Sequence, residues 1–209
     1  MIPSAQLPSR LYLIVDRKVS DKPPEEMTYA ALMAGGLWIQ YREKEKSRNH
    51  IYEEARKLRR LTSRYGATFI VNDHADIALA VEADGVHLGQ DDLPLREARK
   101  IMEEKIIGIS THSAAEALDA AAGGADYIGF GPLFFTRTKE AGEPKGLEML
   151  RKIRRDVHIP IVAIGGVSRN NAESLFAAGA DAVAVASAIF TGDITANVTS
   201  LMQCIERDA

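Results

Sequence analysis

The chain has 209 residues, which at about 150 residues per domain allows one large domain or two small ones. An apolar content of 46% and a charged content of 26% exclude a disordered chain, a collagen and a disulfide scaffold. The 26 basic and 29 acidic residues leave a net charge of −3, which offers no bulk attraction for nucleic acid but leaves room for a local basic pocket that binds a small phosphate.

Short apolar runs rich in β-branched residues recur along the chain and predict eight strands. In chain order they cover residues 11–15, 37–40, 68–71, 85–88, 106–109, 127–130, 161–164 and 182–186. Segments with helical periodicity lie between them, for example Ile51, Ala55, Leu58 and Leu61 separated by charged residues. Several runs are apolar on consecutive residues, which indicates parallel strands that are covered on both faces.

A weak repeat precedes four of these strands, with small residues and Gly followed in three cases by Asp. It occurs at residues 34–37, 83–86, 124–127 and 179–182, where Gly ends a helix and the small residues allow a tight turn. Eight units in 209 residues leave about 26 each, near the lower limit for a (β/α)8 barrel. The prediction is an α/β fold, a single TIM barrel domain over residues 1–209. A doubly wound open sheet is the alternative, and its dinucleotide-binding form lacks the expected Gly-x-Gly-x-x-Gly turn.

The location of the protein is predicted from its cysteine content and its apolar runs. One cysteine, Cys204, excludes an intramolecular disulfide and fits a reducing cytosol. Residues 1–10 lack a basic region followed by an apolar stretch, and no apolar run approaches the ~18 residues of a membrane span. We therefore expect a soluble, cytoplasmic protein without membrane or nucleic-acid partners. Small phosphorylated molecules are the expected partners, and a homodimer is left open.

A row of donor side chains ends the second predicted strand. In a parallel barrel, catalytic groups gather at the carboxyl ends of the strands. Strand alternation places Gln40, Arg42 and Lys44 on one face there, and Arg with Lys suits a polyphosphate. The alternative is that Arg42 and Lys44 begin a solvated loop.

Two acidic strand ends follow, on neighbouring strands. Asp73 ends the third strand, and Asp91 and Asp92 come shortly after the fourth. Together they could share one Mg²⁺, which commonly takes one or two carboxylates while substrate phosphate and water fill the remaining positions. Alternatively, Asp73 caps the helix that starts near Ala75, and Asp91 or Asp92 caps the one near Pro94.

The later strands end in groups that suit an anion. Gly165 and Gly166 follow strand seven, and Ala186 and Ser187 follow strand eight, where such barrels recurrently bind phosphate on backbone amides. The polar stretch 136–146 is long enough to form a lid over a ligand.

The remaining candidates have plainer interpretations. His87, inside an apolar strand, is expected to be a hydrogen-bonded core histidine, and Trp38 is expected in the core. Cys204 is expected to pack on an amphipathic helix. His112 is the histidine expected near the barrel mouth.

In order along the chain, these motifs resemble the thiamine phosphate synthase family over nearly the whole sequence. The motifs are Gln40-x-Arg42-Glu43-Lys44, Val71-Asn72-Asp73, 85–92, 108–112, 129–132 with Thr136-x-Thr138-Lys139, and 163–166. The resemblance implies a transferase that joins hydroxymethylpyrimidine diphosphate to a thiazole ethyl phosphate, giving thiamine phosphate and pyrophosphate.

The resemblance also implies roles for individual residues. The pyrimidine diphosphate would be held by Gln40, Arg42, Lys44, Asn72, Ser110 and Lys139, of which Arg42, Lys44, Ser110 and Lys139 form the catalytic set. Mg²⁺ would be bound by Asp73 and Asp92. The thiazole phosphate would contact Thr136, Thr138, Gly166, Ala186 and Ser187.

The mechanism implied is dissociative, because pyrophosphate leaves before the thiazole nitrogen captures the pyrimidinylmethyl cation. Neutralising the leaving group then matters more than a protein nucleophile. A related thiazole tautomerase, with His112 as acid or base, and a non-catalytic phosphate-binding paralogue are the alternatives. The retained diphosphate and metal residues favour the synthase.

Overall fold

The strands close into a parallel barrel in simple sequence order. The computed structural model describes residues 7–136 and 142–206. The strands are β1 Leu11–Asp16, β2 Trp38–Arg42, β3 Thr68–Asn72, β4 Gly85–Leu88, β5 Ile106–Thr111, β6 Tyr127–Phe130, β7 Ile161–Ile164 and β8 Ala182–Val185. Each pairs with the next, and β8 pairs with β1 to close the ring. The predicted (β/α)8 barrel is confirmed.

Helices alternate with the strands around the outside of the barrel. They are α1 Pro24–Met33, α2 Arg48–Arg64, α3 Ala75–Ala80, α4 Leu95–Met102, α5 Ala114–Ala122, α6 Gly146–Asp156, α7 Ala172–Ala177, α8 Ser187–Phe190 and α9 Ile194–Glu206. A 3₁₀ turn, Arg17–Val19, follows β1. Helix α2 shows the common logic, because Ser47 caps its first turn and Ile51, Ala55 and Leu58 are buried one turn apart. In the described part of the chain, no helix is long and apolar enough to cross a membrane.

The boundaries of β1, β2, β3, β5 and β8 differ from the prediction by one or two residues, and the changes in β2 and β8 concern predicted site residues. Strand β2 extends to Arg42 rather than stopping at Gln40, because Asp16 and Arg42 are register partners on β1 and β2 and their ion pair continues the pairing. Strand β8 ends at Val185, since Ala186 already serves as the cap of α8. Both changes affect residues at the carboxyl end of the barrel.

The core has two parts on either side of the sheet. The larger part packs the outer faces of the strands against the helices. The smaller part fills the lumen with eight buried side chains, namely Tyr12, Ile14, Trp38, Ile70, Tyr127, Val162, Ala182 and Ala184. Trp38 is fully buried in this lumen and its ring stacks on that of Tyr12, with 3.9 Å between centroids. Its prediction as a core residue is confirmed.

The repeated Asp residues brace the amino-terminal end of the barrel. Asp84 precedes β4, and its Oδ2 accepts hydrogen bonds from the Phe69 backbone N–H at 2.7 Å and from Arg59 at 2.8 Å. The same arrangement recurs before β6, with Asp126, Ile107 and Arg99, and before β8, with Asp181, Ile161 and Arg154. Each carboxylate thus joins the start of one strand to the helix that follows the strand before it.

Candidate active site

Polar side chains meet at the carboxyl-terminal mouth of the barrel. Asp16, Arg42 and Asn72 are the last residues of β1, β2 and β3, and these three strands are neighbours. Because all strands are parallel, their carboxyl ends share one end of the barrel, where active sites of this fold lie. The donor row at the end of β2 therefore belongs to the mouth, as the sequence predicted.

Arg42 is held by an acidic residue that the sequence analysis did not single out. Its Nη1 pairs with Asp16 Oδ2, and both side chains are mostly buried. Asp16 Oδ1 accepts a hydrogen bond from the Lys18 backbone N–H at 2.8 Å, so the carboxylate is itself tied to the turn after β1. The sequence contains a signal for this ion pair. Asp16 ends an apolar strand, and the next strand ends in Arg42, so the two side chains are expected to pair.

Lys44, Asp73 and Asp92 form a compact charged group beside Arg42. Lys44 Nζ lies 3.2 Å from Asp73 Oδ2, and the Asp73 and Asp92 carboxyl groups are in hydrogen-bonding contact. Burial and the adjacent Asp92 raise the pKa of Asp73 above its usual range, while Lys44 acts in the opposite direction. Two carboxyl groups in contact form a site that gains from a bound cation, because the cation offsets the repulsion between negative charges.

The backbone near Asp73 and Asp92 holds the two carboxyl groups at the mouth of the barrel rather than at the start of a helix. Asp73 adopts a left-handed conformation with φ of 63°, which costs a non-glycine residue of the order of 1 kcal/mol or more. Its N–H donates to the His87 carbonyl at 2.8 Å, which fastens the turn after β3 to β4. Asp92 Oδ2 accepts from the Gly89 N–H at 2.7 Å.

The capping interpretation of these acidic residues is wrong. Helix α3 is preceded by His74 and helix α4 by Pro94, and neither helix has a side-chain cap. The carboxylates of Asp73 and Asp92 are instead turned toward each other at the mouth.

The carboxylate pair suits a hard divalent cation that keeps open positions. The described residues contain no group of three or more His, Cys, Asp or Glu side chains that could enclose a metal. Mg²⁺ commonly binds one or two carboxylates and takes its other ligands from phosphate and water. The donor set therefore fits Mg²⁺ bound together with a phosphorylated ligand, and does not form an all-protein cage.

Asn72 contributes an unpaired donor to the same mouth. Its side chain is buried, yet Nδ2 has no hydrogen-bond acceptor among the described residues. A buried amide without a partner costs roughly 1–3 kcal/mol, and a ligand oxygen at the mouth would remove that cost. Asn72 thus lies where the resemblance implies a substrate contact.

Gln40 and Ser110 are the two ends of a buried chain of hydrogen-bonded side chains beneath the mouth. Gln40 Nε2 donates to Tyr12 at 2.8 Å, and the Ser110 hydroxyl lies 2.8 Å from His87 Nε2. His87 is buried on β4 and also contacts Tyr127 at 3.0 Å, so its prediction as a hydrogen-bonded core histidine is confirmed. Burial lowers the pKa of His87 to about 4, although Asp92 acts against this, so the ring is neutral at pH 7.

The loops after β7 and β8 lie side by side, because these strands pair in the barrel. Gly165 and Gly166 have φ values of 92° and 66°, and a Cβ on Gly166 would lie 2.5 Å from the Phe135 carbonyl oxygen. Only glycine fits so close to that backbone. Asn171 steadies the loop by donating to the Gly166 carbonyl at 2.9 Å.

The remaining residues predicted to bind substrate here follow β8 or β6. Ala186 caps α8 and Ser187 is its exposed first residue. Thr136 is half-buried and is the last described residue before the gap. Thr138, Lys139 and the centre of the predicted lid fall in 137–141, outside the described residues.

His112 lies just before helix α5 and contacts a residue of that helix. Its ring is half-exposed, and Nδ1 lies 3.2 Å from Glu116 Oε2. Glu116 also accepts from the His112 N–H at 2.8 Å, and Ser113 caps the same helix. The His112 side chain therefore takes part in the start of α5. Cys204 is half-buried on α9, with Sγ 3.6 Å from the Arg169 carbonyl oxygen, in keeping with a packing role.

Comparison with known proteins identifies the family. The family model described as thiamine monophosphate synthase matches residues 11–189. The chain belongs to this family. It is similar to the thiamine-phosphate synthase of Chloroflexus aurantiacus, with 49% identity over 88% of this chain and 86% of that protein. Similarity to the enzyme of the same name from Moorella thermoacetica is 48% over 94% of this chain and 96% of that protein.

A solved structure agrees with the sequence matches. The thiamine phosphate pyrophosphorylase from Pyrococcus furiosus superposes with a TM-score of 0.88 and 42% identity, covering 95% of this chain and 96% of that one. The family membership that the sequence motifs implied is confirmed, and with it the barrel on which those motifs lie.

Proposed function

We propose that this protein is a thiamine phosphate synthase, a transferase that couples 4-amino-2-methyl-5-hydroxymethylpyrimidine diphosphate with thiazole ethyl phosphate, or its carboxylate. The products are thiamine phosphate and pyrophosphate. The observation that carries the proposal is the charged group at the mouth, in which the Asp73 and Asp92 carboxyls meet beside Lys44 and Arg42. Family membership supplies the reaction.

The reaction breaks the carbon–oxygen bond of the pyrimidinylmethyl diphosphate, and the electron pair leaves with pyrophosphate. The thiazole nitrogen then donates its lone pair to the resulting cation and forms the new carbon–nitrogen bond. Mg²⁺ would be held by Asp73 and Asp92 and would neutralise charge on the diphosphate.

The side chains around the mouth would bind and orient the substrates. Arg42, oriented by Asp16, and Lys44 would hold the diphosphate and stabilise its growing negative charge. Asn72 has a free amide donor for a ligand oxygen, and Lys139 is proposed as a further diphosphate ligand. The pyrimidine end would contact Gln40 and Ser110.

The second substrate is proposed to lie across the mouth from the carboxylates. Its phosphate would bind the backbone amides of Gly166, Ala186 and Ser187, where two glycines permit close approach. Thr136 and Thr138 would contact the thiazole. A cytoplasmic location and a homodimer stay predictions.

The carboxylate pair at the mouth does not favour the tautomerase alternative. A tautomerase has no need for paired carboxylates beside Lys44. His112 does not distinguish the two activities, because Glu116 contacts only its Nδ1 and proton transfer needs one ring nitrogen.

The test is to incubate the purified protein with both substrates and Mg²⁺ and to look for thiamine phosphate. Reactions that omit one substrate or contain a chelator are the controls, and we expect product only in the complete mixture. Isomerisation of the thiazole carboxylate phosphate without coupling would contradict the proposal and favour the tautomerase.

A further inference from the structure

Five side chains from five strands form one continuous hydrogen-bonded chain through the barrel lumen. The heavy-atom distances are 2.8 Å from Gln40 Nε2 to the Tyr12 hydroxyl, 2.9 Å on to Tyr127, 3.0 Å on to His87 Nδ1, and 2.8 Å from His87 Nε2 to Ser110. Each distance is that of a well-formed hydrogen bond. The chain starts and ends at two residues proposed to contact the pyrimidine substrate.

The lumen holds these groups in place by close packing. The Tyr12 ring is stacked on Trp38, and Tyr127 meets both rings edge-on. A Cβ on Gly108 would lie 2.1 Å from Cζ of Tyr127, and one on Gly129 would lie 3.2 Å from Cε1 of His87. Glycine at these two positions therefore makes the space in which the Tyr127 and His87 rings lie.

Counting protons gives the chain a direction. The Tyr12 hydroxyl accepts from Gln40, so its single proton is donated to Tyr127. Tyr127 in turn donates its proton to His87 Nδ1. A neutral imidazole carries one N–H, which is then on Nε2 and donates to the Ser110 oxygen. The Ser110 hydroxyl already accepts inside the barrel, which leaves its own proton for the mouth.

We propose that Tyr12, Tyr127 and His87 are positioning residues that make Ser110 a hydrogen-bond donor toward the substrate. An acceptor atom, either a diphosphate oxygen or a pyrimidine ring nitrogen, would bind to Ser110, and a donor group there would be disfavoured. The identity of the substrate rests on the proposed function. The direction of the hydrogen-bonded chain does not, because it depends only on whether the Gln40 amide donates to Tyr12 or accepts from it.

The opposite direction is the competing arrangement and has a different signature. If the Gln40 amide were turned so that its oxygen accepted from Tyr12, every proton in the chain would reverse. His87 would then carry its proton on Nδ1, and Ser110 would donate to His87 and present only lone pairs to the mouth. The tautomer of His87 therefore reports which arrangement the protein adopts.

The first test measures that tautomer in the intact wild-type protein by ¹⁵N NMR of the histidine rings at pH 7. The His87 signals are assigned by their absence from the spectrum of the His87→Gln variant. We expect the protonated nitrogen to be Nε2 and the unprotonated one to be Nδ1. A proton on Nδ1, or on both nitrogens, would overturn the proposal whether or not the protein has activity.

The second test removes single hydroxyl groups from the chain with Tyr12→Phe and Tyr127→Phe. Each change should lower kcat/KM for the pyrimidine diphosphate by about 10-fold, the scale of one misdirected hydrogen bond, and leave KM for the thiazole phosphate unchanged. The loss of kcat/KM in the double variant should be about the same as in the more impaired single variant, because both changes break the same hydrogen-bonded chain.

Tyr41→Phe is the matched control. Tyr41 is equally buried, but its hydroxyl donates to Glu54 at 2.7 Å, outside the chain, so kcat/KM should stay at the wild-type value. Unchanged kinetics in both chain variants, multiplied losses in the double variant, or an equal loss for Tyr41→Phe would contradict the proposal. Failure of the wild type to form thiamine phosphate would refute the proposed function alone, since the His87 tautomer would still be measured.

Discussion

The three Asp braces at the amino-terminal end of the barrel permit a graded prediction, because they have one geometry and different burial. Each carboxylate accepts from a strand N–H and from an Arg side chain. The exposed fraction of the carboxylate side chain is 1% for Asp126, 34% for Asp84 and 44% for Asp181. Replacing each Asp by Asn removes the charge and keeps one oxygen acceptor, while the other oxygen becomes an NH2 donor.

The expected magnitudes follow from burial. Losing one charge of a buried pair costs about 3–5 kcal/mol, so Asp126→Asn should lower the free energy of unfolding by about 3 kcal/mol or more. Exposed pairs contribute about 0–1 kcal/mol, which sets the expectation for Asp181→Asn, and Asp84→Asn should fall between the two. The braces lie at the opposite end of the barrel from the mouth, so turnover of the folded variants should stay at the wild-type value.

Urea unfolding followed by tryptophan fluorescence is a direct assay, because the single tryptophan is buried in the lumen. The reasoning is refuted if Asp126→Asn destabilises the protein no more than Asp181→Asn. A loss of turnover in a variant that is still folded would contradict the separation of the braces from the site.

Three other changes test the site and its surroundings. Asp92→Ala should lower turnover by roughly 10²-fold, the usual loss on removing one preorganised electrostatic group; pyrophosphate release within a few fold of wild type would contradict the metal assignment. His112→Asn should leave pyrophosphate release within a few fold of wild type, since this ring contacts Glu116 at the start of α5, and a large loss would assign His112 a role in the coupling reaction. Burial lowers the pKa of His87 from 6.5 to about 4, so its unfolded state takes up the proton first and stability present above pH 6.5 is lost on acidification. By pH 4 the wild type should have lost about 3 kcal/mol more than His87→Gln in urea unfolding, and equal losses would contradict a buried neutral ring.

Much of the fold could be predicted from the sequence because strands and helix ends are indicated by short, local patterns of residues. Apolar runs recur in every unit, small residues with Gly precede four of the strands, and all eight predicted strands occur within two residues of their expected ends. The approach of Asp73 to Asp92 was predictable for the same reason, since β3 and β4 are consecutive strands and pair directly.

The lumen could not be predicted in this way. Tyr12 and Tyr127 lie on β1 and β6, which are not neighbours in the barrel, and their contact depends on how the closed ring staggers all eight strands. Their hydrogen bond across the lumen has no counterpart in sequence spacing. The role of the repeated Asp residues could not be predicted either. Asp126 accepts hydrogen bonds from the start of β5 and from α4, not from the strand that it precedes.

Formation of thiamine phosphate by the purified protein tests the central claim most directly. With both phosphorylated substrates and Mg²⁺, thiamine phosphate and pyrophosphate should appear together in equal amounts, and Asp92→Ala should form both at least ~10²-fold more slowly. Absence of thiamine phosphate from the complete wild-type reaction, or pyrophosphate released without it, would contradict the account.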